Sequence, residues 1–202
     1  TYAFVHATII QNSHITLKDA TLIVSKGKIS AVGVNARVPA DAVIFDCKGK
    51  FIYPSFIDIY SDYGMPALPR SQNRRFGGPG QMTSEAKNAV GWNAAIKAEN
   101  EAAKVFQINE VKAKDLRSAG FGLVNSHIQD GIVRGTGSLV SLESESANIA
   151  LIKPVSTAHF SFSKGSSTQD YPGSLMGVIA LIRQTFMDAK WYKSNPPAEG
   201  TN

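Results

Sequence analysis

Several kinds of protein are excluded by what this chain lacks. A single cysteine, Cys47, rules out an intrachain disulfide framework and any cluster of thiolates on zinc. Lying between Asp46 and Lys48 in a strand pattern, it reads as a small packing residue. No run of eighteen apolar residues occurs, so no transmembrane helix is expected. Lys and Arg exceed Asp and Glu by 21 to 16, a formal charge of +5, yet only Arg70, Arg74 and Arg75 gather, in a stretch rich in Pro and Gly. With neither an aromatic platform nor a basic helix beside it, that triplet reads as a solvated loop, and no nucleic-acid partner is expected. Ser55, Ser61 and Ser126 lack the Gly-x-Ser-x-Gly elbow of a serine hydrolase. The chain begins at Thr1 with neither a signal peptide nor an initiating Met, which suggests processing or trimming. Cytoplasmic and exported locations both stay open.

What is present is ordinary globular material: 202 residues, 43% of them hydrophobic, enough for one domain or one and a half. Residues 2–10, 16–25, 28–34 and 43–48 alternate or run apolar and are separated by turn signals at Asn12-Ser13, Lys26-Gly27-Lys28 and Lys48-Gly49-Lys50. This spacing predicts hairpins, and hence a small all-β module over residues 1–53, with Pro39 in a connector. Residues 64–82 read as a long loop. From Thr83, with Thr83-Ser84-Glu85 as a cap, the composition predicts two or three helical pieces up to Arg117. Ala119-Gly120 then closes a helix before the strand Phe121–Asn125, so the architecture becomes α/β. Short strands are expected over 133–142, 149–154 and 156–163, and an amphipathic helix over 173–192. The tail 194–202 should fray.

The stretch from Lys50 to Gly64 organises the rest. An apolar strand, Phe56–Tyr60, ends with Asp58, Tyr60 and Asp62 at a spacing of two, which would share one face. Such a cluster is either a site or a set of polar groups bonded at a strand terminus. His127, just past a strand end where α/β folds place ligands, is the lone candidate for acid/base work or metal ligation. Arg134, Gly135 and Gly137 could offer a guanidinium and backbone amides to an anion, but without a phosphate loop's Lys-Ser/Thr ending, glycines for tight turns are the simpler reading. Trp92 and Trp191 read as core or interface anchors, and His6, His14 and His159 as structural.

The ordered motifs Ala7-Thr-Ile-Ile10, Asp19-Ala-Thr-Leu-Ile-Val24, Lys26-Gly-Lys-Ile-Ser-Ala-Val-Gly33, Pro39-Ala-Asp41, Asp46-Cys-Lys-Gly-Lys-Phe-Ile-Tyr-Pro54 and Phe56-Ile-Asp58 resemble the amino-terminal region of the metal-dependent amidohydrolases, including imidazolonepropionase-like and dihydroorotase-like enzymes. The likeness covers residues 1–64 well and, from Ser118-Ala-Gly-Phe121, more loosely. It implies a β-sandwich module (1–53) awaiting carboxyl-terminal strands, then the first βα units of an incomplete TIM-type barrel (54–202). It also implies hydrolysis of non-peptide C–N bonds by water activated on a divalent, zinc-type metal.

In that family the first barrel strand continues with His-x-His, two metal ligands. Tyr60 and Asp62 stand there instead, with Asp58 behind them, and position 55, usually Gly, is Ser. A phenol is a poor ligand at neutral pH and one carboxylate is not a site, so the expectation is a segment that holds no metal by itself. A full barrel needs roughly 250 residues, whereas about 150 follow the β-module. The chain therefore reads as an amino-terminal fragment whose partner is the remainder of its parent, with self-association through open sheet edges. The rival is a noncatalytic binding or scaffold module holding an anion or a partner chain. A metal site rebuilt around Asp58, Asp62 and His127 is the third reading.

Overall fold

The computed structural model describes residues 1–68, 81–82, 84, 91–143 and 146–195. It divides into two compact units, Thr1–Ser55 and Phe56–Asn202. The Arg70–Arg75 loop, Thr83 and Glu85 of the expected cap, and most of the polar tail lie outside the described residues.

In the first unit, β1 (Tyr2–Asn12) and β2 (Ile15–Ser25) form a hairpin whose turn is fastened by the Asn12 carboxamide oxygen, which accepts from the His14 and Ile15 amides. Lys26 and Gly27, both at positive φ, return the chain into β3 (Lys28–Gly33), as a primed two-residue turn requires. The expected antiparallel module needs correction beyond this point. β4 (Val43–Asp46) and β5 (Phe51–Ile52) both run parallel to β1, against Tyr2–Val5 and Thr8–Ile9. Lys48-Gly49-Lys50 is therefore not a hairpin turn. It belongs to a loop closed by the Lys50 amide on the Cys47 carbonyl (2.9 Å), between two stretches on the same side of β1. The result is one mixed five-stranded sheet with path β3-β2-β1-β4. Ala7, Ile9, Ala20 and Cys47 form its buried cluster, so Cys47 does pack.

The β1–β2 ladder carries three one-residue shifts, one beside the turn, between Ile10 and Asn12, and two further along it. Phe4 faces Leu22 and Ala7 faces Ala20, leaving one extra residue on β1; Ile9 then faces Leu17, leaving one extra on β2. His6 and Asp19 occupy these shifts at φ 58° and 50°, and His6 Nδ1 lies 2.9 Å from the Asp19 carboxylate.

The second unit opens with β6 (Phe56–Ser61), passes through α1 (Ala102–Val105) and α2 (Glu110–Ser118), and returns as β7 (Phe121–Ser126), parallel to β6. The Asn109 side chain caps α2 by accepting from the Lys112 amide, Glu110 and Arg117 suit its two ends, and Gly120 at φ 93° ends it. Then β8 (Val133–Ser141), α3 (Ala147–Ala150) and β9 (Leu151–Phe160) follow, with order β6-β7-β8-β9. Both later pairings are antiparallel, so among the described residues the alternation of strand and helix expected of a barrel holds for one βαβ unit.

Other expectations change as well. Residues 91–101 are not helical; they lie along β8, with Lys97 donating to Val133 and Thr136 to Asn100 through their amides. Arg134 to Gly137 lie inside β8 rather than in a tight turn. The strands expected at 149–154 and 156–163 are one strand preceded by α3. α4 (Leu175–Ser194), capped by Ser174, matches the expected helix closely and buries Val178 and Leu181. Trp92 and Trp191 are exposed, so neither anchors the core.

Candidate functional site

At the carboxyl end of β6 a cleft of about 450 Å3 is lined by Asp58, Tyr60, Asp62, Lys112, Asp115 and Gln129, among others. Asp58, Tyr60 and Asp62 do border one space, but not by simple alternation. Between the pairs Asp58/Val124 and Ser61/Ser126 the register slips by one residue. The Asp58 carboxylate accepts from the Tyr60 amide across that slip (3.0 Å). Asp62 faces Lys112 at 3.6 Å, an exposed pair of small energetic weight.

Tyr60 leads inward. Its hydroxyl accepts from an Arg134 terminal nitrogen (2.7 Å), and its ring meets His127 edge-on with centroids 4.7 Å apart. His127 is placed by β7, whose end is tied to β6 through the His127 amide and the Ser61 carbonyl (3.0 Å). Its side chain is completely buried and stacked on His159 (3.6 Å, 1°). Burial first, then the neighbouring His159 and Arg134, push the His127 imidazole down to about 4. His159 is also lowered, by burial and by Arg134.

His159 belongs to a polar face shared by β7, β8 and β9. Its Nε2 is 2.7 Å from Thr157 Oγ1, which accepts from the Asn125 amide nitrogen (2.8 Å); Ser156 donates to the Asn125 carboxamide oxygen (2.7 Å). Gly137 makes room for this layer, since a Cβ there would come within 2.6 Å of both His159 Nε2 and Thr157 Oγ1. Gly135 instead lets the backbone approach Asn100 at φ 82°. The structure thus gathers Tyr60, His127, Arg134 and Gly137, leaves Asp58 and Asp62 on the cleft wall, and sets Gly135 apart. His159, read from the sequence as structural, joins Asn125 and Thr157 in this layer; the spacing of Thr157 and His159 within a strand is a signal that they share a face. Among the described residues, no group of three or more His, Cys, Asp or Glu is placed to hold a metal ion.

No family model and no curated protein matches the chain. Among solved structures, an amidohydrolase from Thermotoga maritima is similar over 96% of this chain and 49% of that one, with a TM-score of 0.65 and 24% identity. A D-hydantoinase (dihydropyrimidinase) from Thermus sp. aligns over 34% of this chain and 14% of its own (TM-score 0.29, 22% identity). A prolidase complexed with N-methylphosphonate-L-proline aligns over 62% and 25% (TM-score 0.33, 15% identity). The chain shares the mixed α/β fold of the first of these structures while spanning about half its length.

Proposed function

We propose that the chain is the amino-terminal portion of an amidohydrolase-like protein, and that its strand-end site does not hold the divalent metal with which active relatives activate water against non-peptide C–N bonds. Residues 1–53 then supply an incomplete β-sandwich and residues 54–202 a partial barrel. The exposed apolar side chains of the edge strand β6, Ile57 and Ile59, support a covering contact there with the remainder of the parent. In this reading the segment acts as a binding and scaffold module rather than as the seat of catalysis.

One observation carries the reading: Tyr60, at the first metal-ligand position of the family pattern, accepts a hydrogen bond from the buried Arg134 guanidinium. A divalent cation about 4 Å from that fixed charge would meet a repulsion of about 8 kcal/mol at an effective dielectric constant near 20. A neutral phenol offers little in return. Asp62, at the second position, faces Lys112, and Asp58 is committed to the Tyr60 amide. The donor set therefore does not fit zinc.

The 202-residue chain, incubated with zinc and desalted, is expected to retain well under one metal ion per chain by mass spectrometry and to show no amidase activity. Stoichiometric zinc would overturn the proposal.

A further inference from the structure

The last helix, α4, is held to its unit along one side. Val178 and Leu181 are its buried residues, in one cluster with Ile96 and Val133. At 3.6 residues per turn the opposite side carries Met176, Arg183, Met187 and Lys190, with Phe186 on one flank and Trp191 on the other. Met176 is 75% exposed, Met187 64% and Trp191 65%. A surface helix ordinarily turns polar residues outward; this one turns long apolar side chains and cations out together.

Charge decides what can cover that side. The cations of α4 are Arg183, Lys190 and Lys193; its one acid, Asp188, lies toward Leu181 and accepts from the Gln184 side chain (2.6 Å). The exposed side therefore presents positive charge with no carboxylate of its own helix. A second copy would set these cations against their own counterparts, because a two-fold contact lays a patch on itself. A groove that wraps around a helix needs more of its circumference than the burial of Val178 and Leu181 leaves. A flat, negatively charged surface meets neither objection.

We propose that α4 rests on the surface of an anionic lipid bilayer. Arg183 and Lys190 reach the lipid phosphates, while Met176, Met187 and Trp191 enter the boundary with the acyl chains. Lys and Arg extend their charge on apolar stems, so cations and methionines can share one face. An indole suits that boundary because its body is apolar and its N–H is polar. The helix lies on the membrane rather than through it, since no described helix is long and apolar enough to cross. The chain's formal charge of +5 acts in the same direction. The contact is independent of whether the strand-end site holds metal.

The test uses the full 202-residue chain carrying Trp92→Phe, so that Trp191 is its one indole, with vesicles of one part phosphatidylglycerol to three parts phosphatidylcholine. Co-sedimentation and a blue shift of the Trp191 emission are expected at low salt, and the loss of both at high salt or with pure phosphatidylcholine. Each cation near such a surface contributes roughly fivefold in affinity, so Arg183→Glu/Lys190→Glu should bind roughly twentyfold more weakly or worse. Lys18→Glu/Lys28→Glu, the same charge change at exposed positions of the first unit, should alter binding far less. Met187→Ser should weaken it several-fold and carries the test if the α4 double variant does not fold. Equal binding to pure phosphatidylcholine, an equal loss in both double variants, an unshifted Trp191 emission, or a stable dimer by light scattering that Met187→Ser disrupts would overturn the proposal.

Discussion

Replacing Lys97 by methionine is expected to lower the unfolding free energy by about 3–5 kcal/mol, read from urea denaturation. Lys97 is the ammonium partner of Asp130, whose side chain is 5% exposed, and it also donates to Ser166 Oγ at 3.1 Å. Ser166 completes the clamp through its amide (2.7 Å) and hydroxyl (2.6 Å), both donating to the Asp130 carboxylate. Three segments are joined in this way: the extended stretch around 97, the loop after β7 and the loop after β9. Burial pushes the Asp130 carboxyl up, but the hydrogen bonds from Lys97 and Ser166 outweigh it and leave the group below the usual carboxylate range. Methionine fills much of the same volume yet abandons a buried anion. The reciprocal change, Asp130→Asn, should be milder, at about 1–2 kcal/mol. Lys97 keeps 24% of its side-chain surface in water and can be solvated where Asp130 cannot. Since domains of ordinary stability hold only about 5–15 kcal/mol in total, Lys97→Met approaches the threshold of folding.

Acid should weaken the protein in a window that His127 defines. Its folded-state imidazole titrates at about 4, against 6.5 for a free one, because burial, His159 and Arg134 all oppose the charge. Above pH 6.5 both folded and unfolded states carry the neutral ring and no penalty arises. As pH falls below 6.5 the unfolded chain takes up a proton that the folded chain refuses, so stability drops, levelling off near pH 4. The loss across that window is about 3 kcal/mol. His159, lowered for similar reasons, adds to it in the same direction. Asp130 acts in a lower range: its carboxyl is depressed, so its contribution is present above about pH 4 and fades below. Denaturation midpoints should therefore stay level from pH 7.5 to about 6.5 and decline from there to pH 4, and His127→Phe should flatten much of that decline. An unchanged slope in the variant would contradict the assignment to His127.

Local signals in the sequence carried through where local physics decides. The alternation in β1, the stop at Gly120 and the periodic apolar face of the last helix all appear as expected. The stretch 91–101 went the other way. Ala94, Ala95, Ala98 and Glu99 favour a helix, yet the backbone there is spent on β8: the Lys97 amide donates to the Val133 carbonyl, and the Ala95 carbonyl accepts from the Ile132 amide. Tertiary pairing overrode propensity. The parallel pairing of β4 and β5 with β1 was equally hidden, because a strand's own pattern does not name its neighbour. At the site, Tyr60, His127 and Arg134 could be picked out one at a time. Their meeting depended on the antiparallel return of β8 and β9, which also brought in His159.

The paired shifts in the β1–β2 hairpin set a rule for how these strands can change length. Between the Phe4/Leu22 and Ile9/Leu17 pairs each strand spends the same number of residues, and only because the extra one near His6 is answered by the extra one near Asp19. Losing His6 alone would leave unequal arcs between those two anchors and turn one end of the hairpin to its other face. Losing both would restore a plain ladder between those two pairs. Between these two pairs, then, a change of length that keeps both ends of the hairpin on their faces takes matched steps on the two strands.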